Sequence, residues 1–484
     1  MPDLLTAFAL MAVVLSLSAL ASGLVERIPI SFPMIFLGLG FVLGERGLGL
    51  LRLTPHDPSL EVVAILSLAF VLFLDAVRLR SDEPGRSWLV PALSLGPGTL
   101  ITMALVALAA TFMLGVAPLQ ALLLGAVLSS MDPVVLRDVL RDERIPQSIR
   151  QALGVEAGTN DIVVLPAVLV LATVDGARAA SVGDWLGLLA RLLIMGPVVG
   201  IVVGLVSVWL MRLARAHTEI SREYRALYGV GAILAAYVVG EAVGSSGFLA
   251  VFAAGAVVAA LDFDVCDCFL DYGEVTSEMT MLLAFILFGA ALSTLIGTVP
   301  ILPTVLFGVL AIGVARPVAI NLVLFRARIS RPARWFIGWF GPRGLSSLLF
   351  ALLLVSRGVA GAEGLLAVVG IVVIMSVLAH GLSAAPLASW YARSVVTRTL
   401  DEEREATAAG LFKGAAGDAP RISPQELADR LAGPAPPVVL DVRTRSEYAR
   451  DRAQIPGSVR VLPDRLTEWA AGQSRDRPVV AYCT

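Results

Sequence analysis

Lysine is all but missing from this chain. Lys413 is the only one among 37 basic residues, and the others are arginine. Charge of either sign is scarce, with Asp, Glu, Lys and Arg at 16% of 484 residues, where a soluble domain carries roughly 25%. The formal net charge is −2, so nothing points to nucleic acid. Cys266, Cys268 and Cys483 are the only cysteines, too few for a disulfide framework. The opening Met1-Pro2-Asp3 has no basic residue, so a cleaved signal peptide is not expected and the first apolar run should stay as a helix.

What the chain has instead is apolar length. Hydrophobic residues make up 57% of it, with mean hydropathy +0.83. About thirteen runs of near-spanning length can be marked: 4–23, 29–43, 61–77, 88–114, 119–136, 152–172, 185–211, 224–239, 248–261, 279–295, 302–324, 335–355 and 365–382. The fourth is interrupted by Gly96-Pro97-Gly98. Arginines cluster after the third, fifth, seventh and eleventh runs, as in Arg137, Arg141, Arg144 and Arg150. The positive-inside rule makes those loops cytoplasmic, which puts the N-terminus outside and the C-terminus inside. The segment 262–274 dissents, since it should be cytoplasmic and has only acidic charges. It reads as an ordinary loop, and the thiols of Cys266-x-Cys268 within it are too few for a closed zinc site.

Against this background the polar residues inside the runs stand out. A charge at bilayer depth costs about 2.5–3.5 kcal/mol on insertion scales, so it usually faces a protein interior or a water-filled path. The sixth run opens with Glu156-Ala157-Gly158-Thr159-Asn160-Asp161. Glu156 and Asn160 are four apart and share a helix face; Asp161 is one step round. These hard oxygen donors suit a small monovalent cation. In the fifth run, Asp132 precedes Pro133, where a helix should break. Asp132 there either binds the ion or caps the second half-helix. The eleventh run holds Arg316. A buried arginine needs a partner, and Glu156 is the obvious one, which leaves Asp161 as the titratable carboxylate. His380 has the chemistry of a pH sensor but reads better as a hydrogen-bonded packing residue.

Several of these segments resemble one family. Glu156-x-x-x-Asn160-Asp161 looks like the Glu…Asn-Asp signature of sodium/hydrogen exchangers, the cation:proton antiporters of the NhaP/NHE type. Ser130-Met131-Asp132-Pro133-Val134 resembles their Thr-Asp-Pro-Val motif, and Gly341-Pro342-Arg343-Gly344-Leu345-Ser346 their Gly-x-Arg-Gly motif. Gly247-Phe248-Leu249-Ala250-Val251 and His380-Gly381-Leu382-Ser383 match weaker patterns, and the set runs in family order over about 390 residues. Asp75 resembles a family position near a helix end, and is equally readable as a snorkelling charge.

The resemblance implies an all-α polytopic membrane protein of about 13 transmembrane helices with inverted repeats. The fifth and twelfth runs would be discontinuous helices, and the remaining helices would form a dimerisation domain. It implies a cation and proton site (Na+ or K+) at Asp161 and Asp132 with Asn160. Glu156, Arg316, Arg343, Thr159 and the backbone of Met131 would organise that site. No cofactor is expected. Two side-chain oxygens of the family pattern are missing: its Thr is Met131, and the Ser often found after the Glu is Ala157.

The composition changes near the C-terminus. Residues 1–395 are expected to form the membrane domain, 396–420 a linker and 421–484 a small α/β unit. Ser423-Pro424-Gln425-Glu426 suits a helix start, and 438–440 and 479–482 read as strands. Leu440-Asp441-Val442-Arg443, Glu447-Tyr448, Ile455-Pro456-Gly457-Ser458 and Val479-Val480-Ala481-Tyr482-Cys483 resemble, in that order, a rhodanese-like domain. That family uses the cysteine after the strand as its persulfide carrier, so Cys483 is the catalytic candidate of a complete domain. Here only Thr484 follows it, and Gln454 replaces the usual His, so a partial, inactive domain is expected.

The expected function is therefore exchange of a monovalent cation for protons in a plasma membrane by a homodimer, and not an enzymatic one. A membrane-anchored sulfurtransferase and a cation channel or sensor on the same fold are the rival readings.

Overall fold

The structure, a computed structural model, describes residues 32–78, 89–142, 144–176, 187, 189–261, 263–327, 329–397, 422–433, 436–473 and 478–482, with positions 12, 16 and 20 besides. The first apolar run, most of the linker and Cys483 lie outside these residues. Among the described residues, fifteen helices precede position 398. They are α1 (Phe32–Leu43), α2 (Pro58–Arg78), α3 (Leu89–Leu114), α4 (Pro118–Val127), α5 (Pro133–Arg141), α6 (Gln147–Thr159) and α7 (Asp161–Gly176). After them come α8 (Arg191–His217), α9 (Arg222–Ala242), α10 (Gly247–Leu261), α11 (Phe263–Leu295), α12 (Ile301–Val323), α13 (Arg331–Trp339), α14 (Leu345–Ser356) and α15 (Ala362–Thr397). Among the described residues, eight spans are long and apolar enough to cross a membrane, α6 and α7 counting as one; α4, α10 and α14 are shorter apolar helices.

These helices are apolar on nearly all sides, and the exposed part of that surface is large. On α8, Ile194, Val198, Val202 and Trp209 are all exposed. In water such a face would drive association; in a bilayer it meets lipid at no cost. The buried sides pack α8 on α10, α11 on α1, α10 on α2 and α3 on α4.

The two expected interruptions are present. Residues 128–132 separate α4 from α5, and 340–344 separate α13 from α14. Pro133 supplies no backbone donor, so it can only begin a helix. Ser330 caps α13, its Oγ accepting from Ala333 N at 3.2 Å.

Three expectations need correction. Gly96-Pro97-Gly98 does not break the fourth run. The chain widens into a π turn over Ser94–Gly98 and goes on as helix, because the longer hydrogen-bond spacing absorbs the proline. Likewise, 262–274 is not a loop: from Phe263 onward it is the first part of the 33-residue α11. The segment holds no proline and only one glycine, so nothing in its sequence stops a helix from running through it. Finally, the last run continues as helix to Thr397.

The C-terminal unit is a three-stranded parallel sheet ordered β2-β1-β3, from β1 (Val438–Asp441), β2 (Val459–Arg460) and β3 (Val479–Tyr482). Leu440 pairs with Val459 on one side and Ala481 on the other. Helices α16 (Pro424–Leu431), α17 (Arg445–Arg450) and α18 (Leu466–Ala471) accompany it. Parallel strands need such crossovers. Ser423 caps α16 by accepting from Glu426 N at 3.1 Å, and Thr444 with Glu447 forms a capping box on α17.

Candidate ion site at the crossing of two broken helices

The breaks between α4 and α5 and between α13 and α14 meet inside the bundle, and each supplies what the other lacks. A helix start leaves backbone N–H groups unpaired and a helix end leaves carbonyls unpaired. Asp132, from the first break, accepts from Leu345 N at the start of α14 at 3.0 Å. Its own N–H donates to Pro342 O at 2.9 Å. In return Arg343, from the second break, donates from Nη1 to Ser129 O and Ser130 O, both at 3.0 Å, just past the end of α4. Ser347 Oγ donates to Val127 O at 2.9 Å. Negative charge thus sits at a helix start and positive charge near a helix end, the arrangement the peptide dipoles favour. Asp132 caps a half-helix of the opposite break, at the start of α14.

This exchange demands close approach. Gly344 lies so near Asp132 that a Cβ there would run into the carboxylate. A Cβ on Gly341 would strike the Arg316 side chain. The two glycines of the Gly-Pro-Arg-Gly stretch are therefore fixed by space.

Beside the crossing stands α6, with Glu156 and Asn160 both 0% exposed. Arg316 Nη1 donates to Glu156 Oε1 at 2.7 Å, and the pair is buried. Arg316 follows directly on a second π turn, Ala311–Ala315. Asp161, 6% exposed at the start of α7, accepts from Ser130 Oγ at 2.7 Å. Ser346 lies beside it, and Asp132 is near enough to interact electrostatically. Asn160 Nδ2 donates to Thr99 Oγ1 at 3.1 Å.

The structure therefore brings Asp132, Asp161, Asn160, Glu156, Arg316 and Arg343 together, with Met131 buried in the same break. Thr159 differs: its hydroxyl donates to Val155 O on its own helix at 2.6 Å, so its hydrogen bond serves α6 rather than the site. Asp75 is buried, not snorkelling, and a Cβ on Gly158 would stand 4.0 Å from its Oδ1. His380 is buried, with Nε2 at 2.9 Å from Trp339 O and Nδ1 at 2.8 Å from Ser376 O. The sequence reading missed Ser130, Ser346 and Thr99. Ser130 and Ser346 stood within the motif segments without an assigned role, and the Ser130 hydroxyl supplies an oxygen near Asp161 where Met131 and Ala157 lack one.

In the C-terminal unit, Arg443 forms a two-pronged pair with Asp441, Nε to Oδ1 at 2.9 Å and Nη2 to Oδ2 at 2.6 Å. Its guanidinium also faces the Tyr448 and Tyr482 rings. Gln454 Nε2 donates to Asp441 Oδ2 at 3.3 Å. Burial alone pushes the Asp441 carboxyl up, but the hydrogen bonds from Arg443 and Gln454 outweigh it and hold it down at about 2. Cys266 and Cys268 fall on α11, with side chains outside the described residues. Cys483 is outside them altogether.

Two interrupted helices meeting with carboxylates at their breaks define a multi-pass membrane fold of the broken-helix kind, an architecture found in many transporters. The family model for the sodium/hydrogen exchanger, transmembrane, matches residues 12–390, and that for the rhodanese-like domain matches 423–484. The chain belongs to the sodium/hydrogen exchanger family. It is 29% identical over 381 residues to the K(+)/H(+) antiporter NhaP of Alkalimonas amylolytica, covering 77% of this chain and 65% of that one. It is 26% identical over 379 residues to the K(+)/H(+) antiporter NhaP2 of Shewanella sp. (strain MR-4), covering 78% and 65%. The chain thus spans 65% of the length of these relatives. The solved structure of the sodium proton antiporter MjNhaP1 from Methanocaldococcus jannaschii at pH 8 has the same fold. Its TM-score is 0.64 at 21% identity, over 81% of this chain and 98% of that one.

Proposed function

We propose that this chain exchanges a monovalent cation, Na+ or K+, for protons, with Asp161 as the group that carries either. The observation behind the reading is the inequality of the buried acids. Glu156 is neutralised by Arg316 at 2.7 Å, and Asp132 accepts from the start of α14 at 3.0 Å. Among the described residues, Asp161 receives hydroxyl help from Ser130 at 2.7 Å, with Ser346 beside it. It is the one whose charge a cation or a proton must balance. A bare charge there is costly, so the site empties of one ion as it fills with the other. Alternating access of the crossed-helix core then moves cation and proton in opposite directions. Relatives named as K(+)/H(+) antiporters support this class of cargo.

Asn160 is uncharged, so one carboxylate serves one ion, and exchange is one-for-one and electroneutral. A voltage-driven current at zero ion gradient would contradict that stoichiometry. The reading places the chain in the plasma membrane as a homodimer, with the N-terminus outside and the C-terminus in the cytoplasm. It leaves the rhodanese-like unit matched over residues 423–484 as a region appended to the membrane domain. A mere anchor for such a unit has no need of buried charges in the bundle, and a channel has no need of counterflow.

The test is a pH-gradient assay in vesicles with sodium, potassium and lithium added in turn. Asp161→Asn should abolish cation-driven dissipation while leaving folded protein in the membrane. If that variant still exchanges, Asp161 is not the carrier.

A further inference from the structure

The two polar groups of α6 are gripped in the same manner from two different helices. Glu156 is held by Arg316, the first residue after the π turn Ala311–Ala315. Asn160, one helical turn further, is held by Thr99, the first residue after the π turn Ser94–Gly98. One extra residue in a helical turn rotates everything beyond it by about 100°. In both helices that rotation sets the direction of a residue that then meets α6. Wide turns of this kind concentrate at functional positions.

The hydrogen bonds around Thr99 have a direction. Across the wide turn Ser94 O accepts from the Thr99 backbone N–H. It also accepts from the Thr99 hydroxyl at 3.4 Å. A hydroxyl has one hydrogen, and with that hydrogen turned to Ser94 the Thr99 oxygen is left as an acceptor. Asn160 must then present its NH2 to Thr99, at 3.1 Å, and turn its carbonyl oxygen elsewhere. That oxygen is buried and has no hydrogen-bond partner among the described residues. An amide set the other way round would aim two N–H donors in that direction.

We propose that Thr99 is a positioning residue for cation binding: with the Ser94–Gly98 π turn it fixes the Asn160 amide so that Oδ1, not the NH2, faces the cation beside Asp161. This rests on the antiport reading above. Without Thr99 the amide is free to flip, and in the flipped state it opposes a cation instead of ligating it.

The experiment uses the full chain in proteoliposomes, with Na+ and K+ titrated over a pH series. Thr99→Val, which keeps shape and loses the hydroxyl, should raise the apparent cation KM roughly three- to tenfold, the scale of one hydrogen bond, with little change in maximal rate. Thr99→Ser should recover the wild-type KM, and Thr99→Ala carries the same expectation as Thr99→Val should one of them fold poorly. In an Asn160→Asp background the effect should vanish, because both arms of a carboxylate are oxygens and no orientation is left to set. An unchanged KM in Thr99→Val, a Ser variant as impaired as Val, or an equal loss in the Asn160→Asp background would overturn the proposal. A wild-type chain with no exchange at all would instead refute the antiport reading beneath it.

Discussion

Removing Arg316 should damage this protein more than removing most buried side chains, because of what it leaves behind. Glu156 is 0% exposed, and its Oε2 has no hydrogen-bond partner among the described residues. Its neutralisation rests on one short bond from Arg316 Nη1 at 2.7 Å. Arg316 in turn leaves Nε unpartnered and reaches Ile337 O only at 3.4 Å. The pair is single-pronged, so Arg316→Ala should cost about 3 kcal/mol, the lower end of the 3–5 kcal/mol for stranding one member of a buried pair. Glu156→Ala should cost a similar amount by stranding the guanidinium. Replacing both with apolar residues of similar volume, as in Arg316→Met with Glu156→Leu, removes both stranded charges and should be better tolerated than either single change. The assay is thermal unfolding of the detergent-purified protein for wild type, Arg316→Met, Glu156→Leu and the double variant, the four members of one cycle. If the double variant is destabilised by the plain sum of the singles, the two side chains are not coupled and the assignment of Glu156 as Arg316's neutralised partner fails.

Ser130→Ala removes the hydroxyl that donates to Asp161 and should weaken apparent cation affinity several-fold, with Ser130→Thr milder; KM values for Na+ and K+ check this. In the C-terminal unit, the carboxyl of Asp441 lies well below the ordinary aspartate value of about 3.9, at about 2. A depressed folded-state value means stability that is fully present above about pH 4 and lost as pH falls toward 2. Proteolysis of the full chain within 422–482 should therefore accelerate over that window, and Asp441→Asn should flatten the pH dependence; an unchanged profile in the variant would refute the role of the Arg443 pair.

Much of the site was legible because its chemistry is written in residues that do not belong in lipid. Asp132-Pro133 announced the first interruption through proline, the second was implied by the resemblance of Gly341-Pro342-Arg343-Gly344 to a family motif, and Glu156 with Arg316 announced a pair through the cost of leaving either alone. What stayed hidden depends on partners far away in sequence. Gly96-Pro97-Gly98 carries the same local signals as the true interruptions, yet becomes a π turn because the surrounding helix continues. Thr159 stood inside the motif and was read as organising the site, but its hydroxyl is satisfied by its own helix, while Thr99, which no motif contained, meets Asn160 across 61 positions of chain. The acidic stretch before Val275 looked like a loop by polarity, although nothing in it forbids a helix.

The mutual capping of the two interruptions has a mechanical consequence. Asp132 completes the start of α14, and Arg343 completes the end of α4. Neither interrupted helix can slide without stranding the other's backbone groups in a dry interior. The four half-helices are therefore geared together, and any motion that exposes Asp161 to one side and then the other must carry them as a single carriage. On the exchange reading proposed above, the ion would travel with its seat, and the sliding surfaces would lie where this carriage meets the rest of the bundle.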